Sequence, residues 1–236
     1  GILYYIPAWC TSKIDPTTGF INRFYLKYEN FDKSKEFVNR IDDIRYNEKE
    51  NLFEFDIDYS KFTERLNDTK NKWTLCSYGE RILTQKNANG EWFDRRIQLS
   101  IEFKNLFEKY GINLNNIKDS ILKLDKDNIE FYKGNGENLG FIQLFKLMVQ
   151  MRNSLTGKEE DNLISPVKNQ HGKFFNTSER VEGLPIDADA NGAYNIARKG
   201  LMLIEQMKNV EDEKLNKIKY NITEKEWLNY IQNRGM

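Results

Sequence analysis

Cysteine and histidine are scarce in this 236-residue chain, which holds only Cys10, Cys76 and His171. The cysteines form no C-x-x-C pair, so neither a disulfide framework nor a zinc ribbon is encoded, and a reducing compartment is expected. With one histidine, and no partnered histidine pattern for Ser154 or Ser165, a Ser-His-Asp site is not indicated. Long apolar runs are missing as well. Nothing approaches the roughly 18 consecutive apolar residues of a membrane span. The opening Gly1-Ile2-Leu3-Tyr4-Tyr5 lacks the basic leader of a secretory signal, and a cytoplasmic protein without a membrane partner is expected. Nor is there an excess of either charge, since 36 Lys+Arg balance 36 Asp+Glu. Nucleic-acid binders generally carry a basic surplus, so any contact with DNA has to be local.

What is present is material for a core. Apolar residues make up 39% and charged residues 31%, with 15 Phe and 12 Tyr, a globular composition compatible with one large or two small domains. Ile2–Pro7 is β-prone and almost wholly apolar, as a buried strand is. A strand that starts at the first residue predicts a chain cut from a longer one. Asp15-Pro16-Thr17-Thr18-Gly19 is a turn signal. Phe37, Val38, Ile41 and Ile44 predict a helix over 33–44, and Leu52, Phe53, Phe55, Ile57 and Tyr59, alternating with acidic residues, predict a half-exposed strand. Short strands follow at 73–78 and 81–85, a loop at Asn87-Ala88-Asn89-Gly90, a helix over 101–110 stopped by Gly111 and a short helix over 117–124.

Phe141, Leu144, Phe145, Met148 and Val149 form one stripe and predict a helix from Phe141 to Arg152. Residues 154–162 read as loop, Leu163–Val167 as a short apolar run, and Asn169–Gly172 as a turn exposing His171. A long helix opens at Asp189, with Ala193, Ala197, Leu201 and Ile204 as its inner stripe, and ends near Lys208. The last helix covers 220–231, where Thr223 and Glu226 have capping-box spacing.

Three places could carry chemistry. In Leu184-Pro185-Ile186-Asp187-Ala188-Asp189-Ala190-Asn191-Gly192-Ala193-Tyr194-Asn195-Ile196-Ala197 an acidic pair precedes a helix that begins with small residues. These permit close approach to a neighbouring strand, which would fix a carboxylate able to ligate Mg²⁺; a helix N-cap is the alternative. Arg152 follows Met148 by four residues, so a guanidinium ends an apolar helix face. It suits phosphate recognition, or it snorkels and complements the helix dipole. Asp161 by its own residue pattern reads as a solvated loop acid, and it is a candidate only through the family resemblance. Lys13, Lys168, Arg81 and Arg180 read as surface cations with possible phosphate contacts.

Asp187 to Ala197 resembles the third RuvC motif of type V-A CRISPR-associated RNA-guided DNA endonucleases, whose nuclease has an RNase H-like core. Tyr4-Tyr5-Ile6-Pro7-Ala8 with Thr11-Ser12-Lys13-Ile14-Asp15-Pro16-Thr17-Thr18-Gly19-Phe20 is similar to that family's junction between its second RuvC segment and its Nuc domain. Gln150-Met151-Arg152-Asn153-Ser154, Thr156-Gly157 and Ile164-Ser165-Pro166-Val167 resemble its Nuc signature. The likeness covers essentially the whole chain and keeps the family's motif order.

The resemblance implies a mixed α/β fold: residues 1–10 ending the second RuvC segment, 11–183 an α+β Nuc domain, 184–236 the third RuvC segment. It implies Asp189 as the metal-binding carboxylate, with Asp187 a neighbour, and catalytic roles for Arg152 and Asp161. The cofactor would be Mg²⁺ in a complete RuvC site whose other carboxylates precede this chain, leaving the piece inactive alone. Implied partners are target DNA, guide RNA bound through other regions, the remaining RuvC core and the guide-binding lobe, in a prokaryotic cytoplasm. The competing reading is a non-catalytic nucleic-acid-binding or scaffold module.

Overall fold

The turn signal at Asp15 is the first element whose physical cause is visible. Its buried carboxylate accepts from the Thr17 and Thr18 backbone N–H groups (2.8 and 3.3 Å) and from both hydroxyls (2.7 Å each). Gly19 then takes φ +71°, which suits glycine. The computed structural model describes residues 6–9, 11–62, 70–87, 89–136, 138–156, 161–208 and 222–233. Most of the expected opening strand lies outside that set, as do Ala88, residues 157–160 of the expected loop and the first two residues of the expected last helix.

Helix α1 (Phe31–Arg40) starts where the Asn30 side chain accepts from Lys33 N at 2.9 Å. It stops before Ile44, which belongs to β1 (Asp43–Asn47). With β2 (Leu52–Asp58) and β3 (Lys72–Cys76) this strand forms an antiparallel sheet in the order β1-β2-β3. The central strand is more buried than its alternation predicts. Glu54 is buried beside Phe53 and Phe55 because Arg45 and Asn47 of the neighbouring strand bind its carboxylate.

A hairpin follows, β4 (Glu80–Lys86) with β5 (Trp92–Gln98), then α2 (Leu99–Lys109), α3 (Ile117–Leu122) and α4 (Ile129–Lys133). The two-residue pair β6 (Gly134–Asn135) and β7 (Asn138–Leu139) leads into α5 (Phe141–Met148). Next comes a second antiparallel sheet, with β9 (Asp161–Lys168) between β8 (Arg152–Ser154) and β10 (Phe174–Asn176). The last helices are α6 (Ala188–Lys208) and α7 (Glu224–Asn233). The fold is mixed α/β with small antiparallel sheets, as expected. Among the described residues, no helix is long and apolar enough to cross a membrane.

Aromatic rings join the layers. Phe53 and Phe55 of β2 meet Phe107 and Phe103 of α2 at centroid distances of 5.0 and 5.2 Å, and Phe55 meets Phe145 of α5 at 5.5 Å. Phe131 stacks on Phe141 at 5.7 Å. Such pairs add roughly 0.5–1.5 kcal/mol each beyond their buried area. A second, smaller cluster brings Ile14 and Ile21 against Met202, Trp227, Leu228 and Ile231.

Two expectations need correction. The helix from Phe141 ends at Met148, and Arg152 lies on β8, because Met151 O is taken by Ile164 N at 2.9 Å, a strand-type partner. The long helix is also turned over. Ala193, Ala197, Leu201 and Ile204 are exposed, while Asn191, Asn195 and Lys199 face inward. These three sit four residues apart on one face and serve the carbonyls of Pro7, Trp9, Thr11 and Ile14. Asn191 donates to Ile14 O (2.9 Å), Asn195 to Thr11 O (2.9 Å), and Lys199 to Pro7 O and Trp9 O (2.9 and 3.0 Å). The close neighbour of the small residues is therefore a 3₁₀ turn, Thr11–Lys13; a Cβ on Gly192 would lie 3.6 Å from Ser12 Cβ.

Asn195→Ala should destabilise the chain by about 1–3 kcal/mol in urea unfolding, since it strips the Thr11 carbonyl of the closer of its two amide donors. Ile204→Gln on the exposed face should change stability by under about 0.5 kcal/mol. The opposite ranking would restore the apolar stripe to the interior.

Candidate functional site

In Gln150-Met151-Arg152-Asn153-Ser154 the side chains alternate across the sheet. Met151 and Asn153 are buried; Arg152 and Ser154 face outward. Asn153 is fixed at both ends of its amide: Oδ1 accepts from Ile82 N at 3.2 Å and Nδ2 donates to Met151 O at 3.0 Å. Gln150 Nε2 donates to Ile82 O at 3.3 Å. β8 is thereby attached to β4 on one side while it pairs with β9 on the other.

Behind it lies Arg81, expected at the surface and found fully buried. It reaches no carboxylate among the described residues. Its guanidinium donates to the carbonyls of Tyr78 (3.0 Å), Glu80 (3.1 Å), Met148 (3.3 Å) and Ile164 (3.4 Å). Burial pulls its pKa down to about 9, which leaves it charged at neutral pH. The end of α5, the middle of β9 and the start of β4 are gathered on one cation.

From this frame Arg152 reaches outward. The register sets Ser154 opposite Asp161 and Arg152 opposite Leu163, so Arg152 and Asp161 are diagonal neighbours. They form an ion pair, and Ser154 Oγ donates to the other Asp161 oxygen at 2.9 Å. Asp161 opens a strand with its side chain 15% exposed, so it is not a solvated loop acid. Arg152 Nη2 also lies 3.8 Å from Asp189 Oδ1. The structure thus brings the three expected residues together around one guanidinium.

The N-cap role falls to the neighbouring acid. Asp187 Oδ1 accepts from Ala190 N at 2.7 Å, leaving the Asp189 side chain 90% exposed in the first turn of α6. Mg²⁺ takes oxygen donors and keeps several waters. Asp189 suits one position of such a site, whereas Asp161 is already engaged by Arg152 and Ser154. Among the described residues no group of three or more His, Cys, Asp or Glu could hold an ion. The fit is therefore to a single ligand.

The other candidates are accounted for locally. Ser165 is fully buried and its Oγ accepts from Val167 N at 3.3 Å. Lys168 pairs with Glu50 and, at 3.7 Å, with Glu54. His171 is exposed in its turn. Lys13 is exposed beside the Arg152 groove, and Arg180 is exposed. Sequence reasoning missed two positioning residues, Asn153 and Arg81. Asn153 stood beside Arg152 in the motif; Arg81 carried no signal, because an arginine in a short strand reads as solvent-facing.

A family described as NUC, nuclease domain, matches residues 14–179, more than half of the chain. The match takes in Arg81, Arg152, Asn153 and Asp161 and stops before Asp189.

Arg81→Met should cost about 3 kcal/mol or more in urea unfolding, because the Met148 and Ile164 carbonyls lose their donors at roughly 1–3 kcal/mol each. Arg81→Lys should recover only part of this, since one ammonium cannot span carbonyls from three elements. A neutral Arg81→Met would show that the carbonyls find other donors.

Proposed function

The chain belongs to the nuclease-domain family, and on that premise we propose that it is the C-terminal nuclease portion of a type V-A CRISPR RNA-guided DNA endonuclease. In this reading residues 11–183 are its Nuc domain, 1–10 and 184–236 are flanking RuvC segments, and the reaction is Mg²⁺-dependent phosphodiester hydrolysis. The observation that carries it is the convergence of Arg152, Asp161 and Asp189, from two segments of the chain, on one solvent-facing spot.

Each residue then has a distinct task. Asp189 supplies one metal-binding carboxylate, steadied by the Asp187 cap and by Asn191 beneath it. A bound Mg²⁺ would polarise the phosphate and activate water there. Arg152 presents a guanidinium fork to a phosphate, and Asp161 with Ser154 sets its direction. Arg152 also faces Asp189, its Nη2 3.8 Å from Oδ1. Two-metal sites use several carboxylates, and the remaining ligands are assigned to RuvC segments outside this chain. Guide RNA and the guide-binding lobe contact other regions of the whole endonuclease, and target DNA is the substrate.

In that endonuclease, Asp189→Ala should lower cleavage of both DNA strands by at least about 10³-fold, several kcal/mol of transition-state stabilisation at 1.4 kcal/mol per tenfold, with guide-dependent DNA binding retained. Cleavage near the unmutated rate in Mg²⁺ would remove Asp189 from the metal site.

The 236-residue chain alone, incubated with single-stranded DNA and Mg²⁺, should not cut, because one carboxylate cannot hold two ions against water. Turnover abolished by Asp189→Ala would mean that the chain holds a complete site.

A further inference from the structure

Asp94 holds the chain beyond Arg152 from outside the cluster that surrounds the guanidinium. It lies on β5 opposite Thr84 of β4, whose hydroxyl donates to Asp94 Oδ1 at 2.7 Å. Both carboxylate oxygens also receive Thr156, just past the end of β8: Thr156 N donates to Oδ2 at 2.6 Å and Thr156 Oγ1 to Oδ1 at 3.0 Å. A residue gripped by its backbone and its hydroxyl on one carboxylate has both its position and its rotamer set. These bonds, the Thr84 hydroxyl first and the Thr156 N–H next, hold the Asp94 carboxyl below its ordinary range. It is therefore ionised at neutral pH, which makes it the stronger acceptor.

The place of this tether matters because β8 is short. Its ladder with β9 covers only Arg152–Ser154 and closes on the pair Ser154 and Asp161, and the ends of such elements are where local opening is easiest. Ser154 is also the residue whose hydroxyl donates to Asp161, which in turn pairs with Arg152. On one side of Ser154 stands Asn153, whose Oδ1 accepts from Ile82 N of β4 at 3.2 Å. On the other stands Thr156, fastened to Asp94. Both tethers run to the β4-β5 hairpin, so Ser154 is suspended between two fixed points instead of lying at a free strand end.

We propose that Asp94 is a positioning residue for Arg152. It fixes Thr156, Thr156 fixes the end of β8, and the contact of Ser154 with Asp161 passes that constraint to the guanidinium. The consequence for cleavage rests on the nuclease reading; the tether itself does not, and the two are tested apart.

The first measurement is by NMR on the isotope-labelled 236-residue chain without metal or nucleic acid, following exchange of the Arg152 guanidinium N–H groups with water. Asp94→Ala should speed that exchange about 3- to 10-fold, the shift in a local equilibrium that one lost hydrogen bond produces. Asp94→Asn still accepts from Thr156 N and can donate to the two hydroxyls, so it should stay close to the unaltered chain. The second measurement is single-turnover cleavage by the whole endonuclease. Asp94→Ala should slow it about tenfold with DNA binding unchanged. Added to Arg152→Ala, it should alter the remaining rate by less than about twofold, because a residue that acts through Arg152 has nothing left to position. An aspartate that merely stabilises the fold would instead slow both backgrounds by the same factor, in step with a lower melting temperature. Unchanged Arg152 exchange in Asp94→Ala would overturn the proposal, and so would equal slowing with and without Arg152. An Asp94→Asn chain altered as much as Asp94→Ala would assign the effect to charge and overturn it too. Faster Arg152 exchange together with unaltered cleavage would leave the tether standing and overturn the part given to Arg152 in the reaction.

Discussion

A guanidinium taken wholly out of water has to be met by acceptors, and among the described residues the two terminal nitrogens of Arg81 find them in backbone carbonyls, while its Nε has no partner there. The desolvation of a buried cation amounts to several kcal/mol, so its surroundings are held to whatever geometry provides oxygens. Those oxygens belong to the last turn of α5, to β9 and to the bend entering β4. Helix ends leave carbonyls unserved, and Arg81 takes one of them at Met148. Gly79 makes the bend possible with φ +76°; a Cβ there would lie 3.3 Å from Ile164 and 3.4 Å from the Arg81 side chain. With these three elements joined, β8 has little freedom, and the outward direction of Arg152 follows.

Much of this was legible in residue types and little of it in periodicity. The turn at Asp15 and the Asp187–Asp189 pair could be picked out because each has a short-range cause, a capping carboxylate and a helix start, whereas the Gln150–Ser154 stretch stood out through its resemblance to the Nuc signature and its strand did not. The helix continued to Arg152 failed because Met148 and Arg152 are four apart and Val149 and Met151 are apolar, so the stripe runs on in sequence after the backbone has changed partner. Nothing local announces that Ile164 N will take Met151 O. α6 failed for the opposite reason. Its buried face is written in Asn191, Asn195 and Lys199, and its exposed face in Ala193, Ala197, Leu201 and Ile204, so a rule that sends apolar residues inward inverts it. The inward amides make sense only once the carbonyls they serve, those of Thr11 and Ile14, are seen. The match of the family over 14–179 supports the nuclease character read from the motifs.

The charge balance that argued against nucleic acid is a sum over unlike surfaces. On the β1-β2-β3 face Arg45 lies among Asp43, Glu54 and Asp56, and Lys168 joins Glu50 and Glu54. Arg45 holds Asp56 below the ordinary carboxylate range despite the opposing effect of partial burial. Neutrality there is local pairing, whereas Lys13, Lys27 and Lys146 near Arg152 form no ion pair among the described residues. Total charge is a poor guide to a protein that separates its charges in this way.

The small cluster of Ile14, Ile21, Met202, Trp227, Leu228 and Ile231 ties residues just before the large aromatic core to residues just after it. Arg23 pairs with Glu224, Gln232 donates to Gly19 O, and Asn191 and Asn195 hold the turn at Thr11. The polypeptide therefore departs and returns, 180 to 213 residues later, to almost the point it left. A loop with adjoining exits can be exchanged or enlarged without rethreading the scaffold that carries it, so the distance between the acid at the head of α6 and the turn at Thr11 does not depend on how much chain is spooled out between them.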